Sequence, residues 1–476
     1  MIEIFIPRVC LNEQRYILDV MLGEFLGLAF KVSEHNERDI KIIGCDDNAC
    51  LSLNADFFQQ AEKGWLSTES MPALPLLNWS PIENGIEVKL VEYDVPIIYG
   101  KPGLLKNDKH WHLSLDIFGS SFFMLSRYEE YVTLDRDNHA RFPSWASVAH
   151  KAGFLDRPIV NEYLEILWSC IHSLWPNLQR KRRYFRKFIS CDVDHPFDLA
   201  SHSFKRTALR VGARLIRDKN INLAMCDLAN YIFKKFHSDR FDEYHNNIDW
   251  IMRVNKALGN EVEFYFIPIQ TCTSREDPND IRTPKMLNLL KHIIDSGHKI
   301  GFHPGYNTYK FHKNFKQSAD VLKEVFQKLN IEFSSIGGRQ HYLRYDIGKT
   351  PQLWQDNGFS YDSSLSFADK AGFRTGACYE YTMFDVTKRI KNRLKQRPLI
   401  VMEGSIISNT YEGLGYGNEA LERFSVFIER CQDFDGDFTL LWHNSFFIKP
   451  ESKDFYIEIL TRLNRPKRGK GDELYV

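Results

Sequence analysis

The stretch FISCDVD (188–194) is an apolar run that ends in two acidic residues. Five further strand-like runs follow it, each ending in polar residues: EVEFYFIPI (261–269), HKIGFHP (298–304), SSIGGRQHY (334–342), LIVMEGSI (399–406) and FTLLWHNS (438–445). Helical periodicity fills several of the gaps, as in TPKMLNLLKHIIDSG (283–297) and KQSADVLKEVFQKLN (316–330). Strands and helices in alternation predict an α/β fold with a parallel sheet covered by helices.

Polar side chains stand where these predicted strands end. They are Asp192, Asp194, His303, Arg339, His341 and His443. Because catalytic residues of such folds lie at the carboxyl ends of the parallel strands, we expect these side chains to lie close together. Two neighbouring carboxylates tend to share a proton or a cation, and an imidazole can bind a divalent ion. Asn307, four residues after His303, could add an amide oxygen.

Each motif also has a structural interpretation. An Asp pair after a strand is ordinary in a turn or at a helix N-cap, and a lone His at a strand end is often structural. Arg339 could hold a carboxylate ionised or form a surface salt bridge. His443 suits a general acid because the pKa of histidine lies near neutral pH, but it could also be a buried structural residue.

Composition and charge exclude several classes of protein. The 476 residues are 43% hydrophobic and 26% charged, and Lys+Arg and Asp+Glu both number 62, so a nucleic acid partner is not expected. Nine cysteines stand singly without a C-x-x-C pair, which favours free thiols in a reducing compartment. The first residues do not read as a signal peptide, and no apolar run approaches about 18 residues. We therefore expect a cytoplasmic protein.

A basic run that contains proline, PNLQRKRRYFRK (176–187), marks the predicted boundary between two domains. Residues 1–178 are predicted to form a smaller α+β domain, and residues 184–452 the α/β domain with a helical insertion at about 198–258. A C-terminal helix and basic tail are predicted over 453–476.

Several elements of the N-terminal part can be predicted from periodicity. Strands are predicted over 2–7 and 40–45, strand pairs over 81–100, and helices over 15–28, 114–132 and 157–175. Glu129 and Glu130, near the end of one of these helices, are interpreted as helix-surface or structural residues.

The insertion carries two helical stretches with basic faces, SFKRTALRVGARLIRD and INLAMCDLANYIFKKF. Further positive charge lies in TKRIKNRLKQR (387–397) and RLNRPKRGKG (461–470). These stretches could form an amphipathic surface for peripheral contact with a membrane or for a lipid-linked anionic glycan. The alternative is that they are solvated helix faces and a frayed tail.

Taken together, the motifs over roughly residues 184–450 resemble the polysaccharide deacetylase superfamily, carbohydrate esterase family four. By its D-x-D motif the resemblance implies that Asp192 is the catalytic base and Asp194 a metal ligand. The H-x-x-x-H motif of the family corresponds to His303 and Asn307, so that Asn307 replaces the second histidine ligand. His341 or His195 could supply a ligand in its place.

The remaining motifs of the family match in the same order along the chain. Arg339 corresponds to the arginine that orients the base, and Leu441-Trp442-His443 to the motif whose histidine is the general acid. Residues interpreted as binding substrate are Tyr342, His341, Tyr306, Asp362 and Trp442.

The resemblance implies a distorted (β/α) barrel and a divalent metal ion, with zinc expected first. The implied reaction removes an N-acyl group, most simply acetyl, from an amino sugar or glycan in bacterial surface-polysaccharide biosynthesis. The substrate would be an amino-sugar-containing saccharide or a nucleotide- or lipid-linked sugar, and the oligomeric state is left open. The N-terminal part, with FGSSFFMLSRYEEY, is similar to an uncharacterised domain that precedes a divergent branch of deacetylases.

Two alternatives stay open. Because of Asn307, one is a catalytically impaired relative that binds a glycan or a biosynthetic partner. The other is a hydrolase of a non-sugar C–N bond, because related folds vary their substrates.

Overall fold

A six-stranded and a nine-stranded β-sheet, each packed with helices, give the chain a mixed α/β fold. The structure is a computed structural model that describes residues 2–44, 49–217, 219–447 and 450–466. A third, two-stranded sheet is formed by residues of the N-terminal part.

The N-terminal part contains eight strands and six α-helices within its described residues. In chain order they are β1 (Ile2–Pro7), α1 (Leu11–Leu18), β2 (Phe30–His35), β3 (Ile40–Gly44), β4 (Cys50–Leu53), α2 (Asp56–Lys63), β5 (Leu77–Trp79), β6 (Val95–Ile97), β7 (Gly100–Asn107), β8 (His110–Leu115), α3 (Ile117–Leu125), α4 (Tyr128–Val132), α5 (Val148–Lys151) and α6 (Ile159–Leu174). The six-stranded sheet has the order β2-β1-β3-β4-β8-β7, and β5 pairs with β6.

Periodicity located most of these elements, but their bounds differ. The predicted helix over 15–28 begins earlier, as α1, and continues as a π-helical segment, Asp19–Phe25. The predicted strand at 40–45 is β3, and Cys45 lies outside the described residues. Of the strand pairs expected over 81–100, only β6 and the first residue of β7 form.

The helix predicted over 114–132 is divided into α3 and α4. The Asp116 carboxylate accepts a hydrogen bond from the Gly119 N–H at 2.7 Å, which caps the start of α3. Arg127 has a φ of 54°, and this left-handed residue separates the two helices. Glu129 and Glu130 are buried and pair with Arg127 at 2.7 Å, so they are structural residues and not part of a helix surface.

The C-terminal part contains nine strands and nine α-helices within its described residues. They are β9 (Arg186–Val193), α7 (Phe204–Ile216), α8 (Ile221–Lys234), α9 (Glu243–Ala257), β10 (Val262–Phe266), α10 (Pro284–Asp295), β11 (Lys299–Phe302), α11 (His312–Lys328), β12 (Gly337–Gly338), α12 (Thr350–Asp356), β13 (Tyr361–Asp362), β14 (Tyr381–Asp385), β15 (Ile390–Gln396), β16 (Val401–Met402), α13 (Glu403–Ile407), α14 (Asn418–Asp433), β17 (Asp437–Leu441) and α15 (Pro450–Asn464). Residues 467–476 of the predicted basic tail lie outside the described residues.

The nine strands have the order β14-β15-β13-β12-β11-β10-β9-β17-β16. All pairings are parallel except that of β14 with β15. β9 lies inside this sheet, and its residues from Ile189 to Val193 are buried on both faces, as is typical of a parallel sheet. The predicted α/β class is therefore confirmed, whereas closure of the sheet into a barrel stays a prediction.

Two predicted strands are much shorter than expected. The run 334–342 contributes only Gly337 and Gly338, because the chain turns away after them. The run 399–406 forms β16 and then continues as the short helix α13, all of whose residues are buried.

The N-terminal and C-terminal parts share one hydrophobic core. Tyr16 donates its hydroxyl to the Thr382 carbonyl at 2.8 Å, and Tyr381 donates to the Leu125 carbonyl at 2.8 Å. The predicted domain bounds stay predictions. Within the described parts of the chain, no helix combines the length and apolar character that crossing a bilayer requires.

Candidate metal centre

The strand ends bring the predicted polar residues together. β9 pairs with both β10 and β17, while β11 pairs with β10 and β12, so Asp194, His303, Arg339 and His443 follow strands of one sheet edge. The close approach of β12 to β11 requires glycine, since a Cβ atom on Gly338 would lie 1.8 Å from the Phe302 carbonyl oxygen. This approach places Arg339 directly beside the site.

Three side chains form a group that could hold a metal ion: Asp194, His303 and His341, whose ligand atoms lie within 4.8 Å of one another. Asp194 Oδ1 is 3.3 Å from His303 Nε2 and 3.5 Å from His341 Nε2. Among the described residues, neither Asp194 Oδ1 nor His303 Nε2 has a hydrogen-bond partner, although both atoms are buried. Buried polar atoms are rarely left without partners, so this pair fits a bound cation.

The two imidazoles are oriented by acceptors behind them. His303 Nδ1 lies 2.6 Å from the Arg339 carbonyl oxygen. A carbonyl oxygen only accepts, so Nδ1 carries the proton and the lone pair of Nε2 points to Asp194. His341 Nδ1 lies 3.3 Å from Glu276 Oε1, which favours the same tautomer for His341.

Negative charge at the site favours a cation. Burial alone would lower the pKa of His341, but Asp194 and Glu276 raise it to about 9. Burial alone would raise the pKa of the Asp194 carboxyl, yet His341, His303 and His443 lower it well below its usual range. The same carboxylates would stabilise a divalent ion bound between Asp194 and the two imidazoles.

Asp192 lies beside this group and is fixed by Arg339. The Arg339 guanidinium is buried and donates from Nη1 to Asp192 Oδ1 at 2.7 Å and to Ser190 Oγ at 2.9 Å. Its Nε donates to the Ser363 carbonyl at 2.9 Å, which fixes the plane of the guanidinium. Asp192 Oδ2 is left facing the site, 3.8 Å from His303 Nε2.

His443 approaches the other carboxylate oxygen of Asp194. His443 Nε2 lies 3.8 Å from Asp194 Oδ2, and Nδ1 lies 2.5 Å from Glu403 Oε1. The same Glu403 oxygen accepts the backbone N–H of His443 at 2.9 Å. Burial alone would lower the pKa of His443, but Glu403 and Asp194 raise it to about 10. The negative charge of Glu403 and Asp194 therefore favours the protonated form of His443.

Asn307, predicted as a metal ligand, has a different contact. Its Nδ2 donates to the Thr271 carbonyl at 2.9 Å, and its backbone N–H donates to Thr271 Oγ1 at 3.1 Å. His341, predicted as a substrate-binding residue, stands nearest Asp194 after His303. The role of Asn307 as a ligand stays a prediction.

Aromatic residues form a half-buried rim around the site. The Tyr342 ring lies 4.7 Å from His341, 5.2 Å from Tyr306 and 4.8 Å from His139. Tyr342 has a φ of 62°, and Arg141 Nη1 donates to its carbonyl at 3.2 Å. His139 and Arg141 belong to the N-terminal part, which therefore contributes directly to this rim.

Two predicted substrate-binding residues lie deeper in the structure. Asp362 is buried, and burial raises the pKa of its carboxyl to about 7. Trp442 is buried in the core, with its ring 4.9 Å from Tyr456 and 5.5 Å from Phe447. Neither belongs to the group around Asp194, and their proposed roles stay predictions.

Four residues of the site were not identified from the sequence: Glu276, Glu403, His139 and Arg141. Glu403 directly follows β16, so the rule that located the other strand-end residues could have found it. Glu276 lies in a loop, and its backbone partners include the Cys272 N–H at 3.0 Å. Nothing in the sequence pattern singles it out.

Residues 2–176 match a family of unknown function, DUF7033. No curated protein matches the sequence. Among solved structures, the chain is similar to one described as a "putative polysaccharide deacetylase from Mycobacterium smegmatis". The identity is 14%, with 60% of this chain and 85% of that chain covered, and the TM-score is 0.38.

Proposed function

We propose that the chain is a metal-dependent N-deacylase that removes a short acyl group, most simply acetyl, from an amino sugar. The observation that carries this proposal is the pair of buried atoms Asp194 Oδ1 and His303 Nε2, 3.3 Å apart and without hydrogen-bond partners among the described residues. A proton donor and a carboxylate flank this pair, as hydrolysis of an amide requires.

Asp194, His303 and His341 would hold the ion, so His341 takes the position that the family motif assigns to Asn307. One carboxylate and two imidazoles suit zinc and leave coordination positions open. A divalent ion held there would act as a Lewis acid toward the acyl carbonyl and acidify water.

Asp192 is proposed as the general base. Arg339 occupies Oδ1 and fixes the orientation of the carboxylate, so that Oδ2 is left to accept a proton from the attacking water. Asp192 does not belong to the three-ligand group, which keeps base and ligand roles on separate carboxylates.

His443 is proposed as the general acid that protonates the leaving amine at Nε2. Glu403 holds Nδ1, which fixes the ring and keeps the imidazolium stable. Because the pKa of His443 is raised, its imidazolium would donate the proton from Nε2 to the leaving nitrogen as the C–N bond breaks.

The surroundings support a short acyl group on a sugar. Leu343, Met402 and Leu441 belong to a small apolar cluster separate from the main core. Leu343 follows Tyr342 and Leu441 precedes His443 by two residues, so the cluster would line the site where an acyl methyl group sits. Tyr306 and Tyr342 would contact the face of a sugar ring.

The finer parts of this proposal rest on the sequence motifs. They are the distorted deacetylase-type barrel, a cytoplasmic location, an amino-sugar substrate within a saccharide or on a nucleotide or lipid carrier, and a place in surface-polysaccharide assembly.

Two measurements test the proposal. Protein purified without chelator is assayed for bound metal, and acetate release is then measured on a panel of N-acetylated nucleotide sugars and oligosaccharides. We expect one divalent ion per chain and acetate release that chelator abolishes and metal restores. Metal without acetate release from any sugar would favour a non-sugar C–N substrate. Protein that neither binds metal nor releases acetate would be a binding protein of the same fold.

A further inference from the structure

Helix α8 turns an apolar face to solvent. Ile221, Met225, Leu228 and Ile232 follow one another at the spacing of a single helix face, and all four are exposed. Ile221 is 67% exposed and Met225 61% exposed. In a helix of a globular protein, this stripe would normally be the buried one.

Helix α7 also exposes apolar side chains, although they are spread around more of its circumference than those of α8. Phe204, Leu209, Leu215 and Ile216 are exposed, Ile216 by 82%. The two helices pack against each other, and the Phe204 ring at the start of α7 lies 5.8 Å from Tyr231 near the end of α8. The exposed apolar side chains of both helices therefore belong to one helical hairpin.

Polar contacts join the two helices to each other and to the loop that precedes α7. Asp227 of α8 forms ion pairs with Arg210 at 2.9 Å and Arg214 at 3.3 Å. Asn230 donates to Asp198 Oδ2 at 2.9 Å, and Asp227 and Asn230 are both buried. The usual distribution is thus inverted, since the buried face of α8 is polar and its exposed face is apolar.

Among the described residues of the hairpin, the exposed charged side chains are all positive. The exposed charged side chains over residues 204–217 and 219–236 are Lys205, Arg206, Arg217, Lys219 and Lys235. No acidic side chain in those two ranges is exposed. A second copy of the chain would bring two positive faces together, which opposes self-association.

We propose that α7 and α8 dock the protein on an anionic lipid bilayer. The exposed apolar side chains would enter the headgroup region while the lysine and arginine side chains pair with lipid phosphates, as in helices that lie in a membrane interface. The surface does not depend on the chemistry proposed for the metal centre. The hairpin begins at Phe204, ten residues after Asp194, and lies between β9 and α9 in the sequence.

The test is co-sedimentation of the full chain with vesicles. One set contains equal parts of phosphatidylglycerol and phosphatidylcholine, and the other contains phosphatidylcholine alone. We expect at least about tenfold stronger binding to the anionic set, with a loss of binding as salt is raised.

Two variants separate the apolar and charged contributions. Ile216→Ser/Ile221→Ser/Met225→Ser should weaken binding to anionic vesicles at least about tenfold, because three exposed apolar side chains no longer enter the bilayer. Lys205→Ala/Arg206→Ala/Lys235→Ala should weaken it about 100-fold, at about fivefold for each charge. The matched control is Leu77→Ser/Leu105→Ser/Leu134→Ser, which alters three exposed leucines elsewhere and should leave binding unchanged.

Unchanged thermal unfolding would confirm that each variant is folded. Failure of the wild-type chain to sediment with anionic vesicles, or equal sedimentation of the control and the two hairpin variants, would overturn the proposal. Sedimentation velocity is run in parallel. A wild-type dimer that becomes a monomer only in the apolar variant, without vesicle binding, would assign the surface to a second copy of the chain.

Discussion

Arg339 Nη1 lies 2.7 Å from Asp192 Oδ1, and both side chains are buried. The other nitrogens of the guanidinium are held by Ser363, through its carbonyl at 2.9 Å and its hydroxyl at 3.1 Å. A planar guanidinium fixed at several points determines the orientation of the carboxylate that it contacts. This contact leaves one Asp192 oxygen facing the candidate metal centre.

Asp192→Asn should lower turnover about 10²–10⁴-fold, which is the usual contribution of a general base. Metal content should be unchanged, because Asp192 is outside the three-ligand group. Acetate release and metal content are measured on the same preparation. Because Asn leaves the Arg339 charge unpaired, thermal unfolding is compared in Asp192→Asn and in Asp192→Asn/Arg339→Met. A folded Asp192→Asn protein with wild-type turnover would exclude Asp192 as the base.

His341→Ala should reduce metal affinity by more than the 10- to 100-fold typical of removing a residue that only supports a ligand. Glu276→Gln should reduce metal affinity by only about 10- to 100-fold, since Glu276 contacts His341 Nδ1 and is not itself a proposed ligand. Asn307→Ala should retain the metal, because its amide is bound to Thr271. Metal titration of the three variants checks this, with exposed His292→Ala as the control. Loss of metal in Asn307→Ala together with full retention in His341→Ala would assign the ligand to Asn307.

Glu403→Gln should lower kcat with little change in KM or metal content. Glu403 contacts His443 but not the three proposed ligands, so it acts as a positioning residue for the proposed acid. Glu403→Asp should recover part of kcat, because it restores the charge. Steady-state kinetics on the three proteins checks this, with Glu412→Gln as a control carboxylate on a nearby loop. An equal change in KM for all variants would indicate a structural role only.

Much of this site could be predicted because strand ends follow a simple rule. A buried parallel strand needs an apolar run, and the polar residues that follow it face the same edge of the sheet. Asp192, Asp194, His303 and His443 obey this rule. Glu276 and His139 do not follow strands of this sheet. A loop conformation brings Glu276 to the site, and the packing of the N-terminal part brings His139.

Residue spacing did not predict two further features, namely the proposed metal ligand His341 and the exposed face of the insertion helices. His341 reaches Asp194 because the chain turns after Gly338, with Tyr342 at a φ of 62°, and no periodicity encodes that turn. For α7 and α8, the spacing predicts the helices correctly. Which face is buried is decided by the contacts of Asp227 with Arg210 and Arg214, which spacing alone does not reveal.

Glu130→Gln should destabilise the fold in a pH-dependent way. Glu130 pairs with Arg127 at 2.7 Å and with Arg374 at 2.6 Å, and thereby joins the N-terminal part to the C-terminal part. Burial alone would raise the pKa of the Glu130 carboxyl, but Arg374 and Arg127 lower it from 4.5 to about 2. A carboxyl whose folded pKa is lowered stabilises the protein above its unfolded pKa, and this stabilisation is lost as the pH falls from about 4.5 toward 2.

At pH 7, Glu130→Gln should therefore lower the free energy of unfolding by about 3–5 kcal/mol, since two buried arginines lose a charged partner. The difference from wild type should shrink as the pH is lowered below 4.5. Urea unfolding at pH 7 and at pH 3.5 measures both values. Asp320→Asn removes the exposed partner of Lys316 and should cost less than about 1 kcal/mol at either pH. If the free energy of unfolding of Glu130→Gln differed from wild type by the same amount at both pH values, the ionised Glu130 carboxylate would not be the source of the stabilisation. Such a constant difference would reflect lost packing.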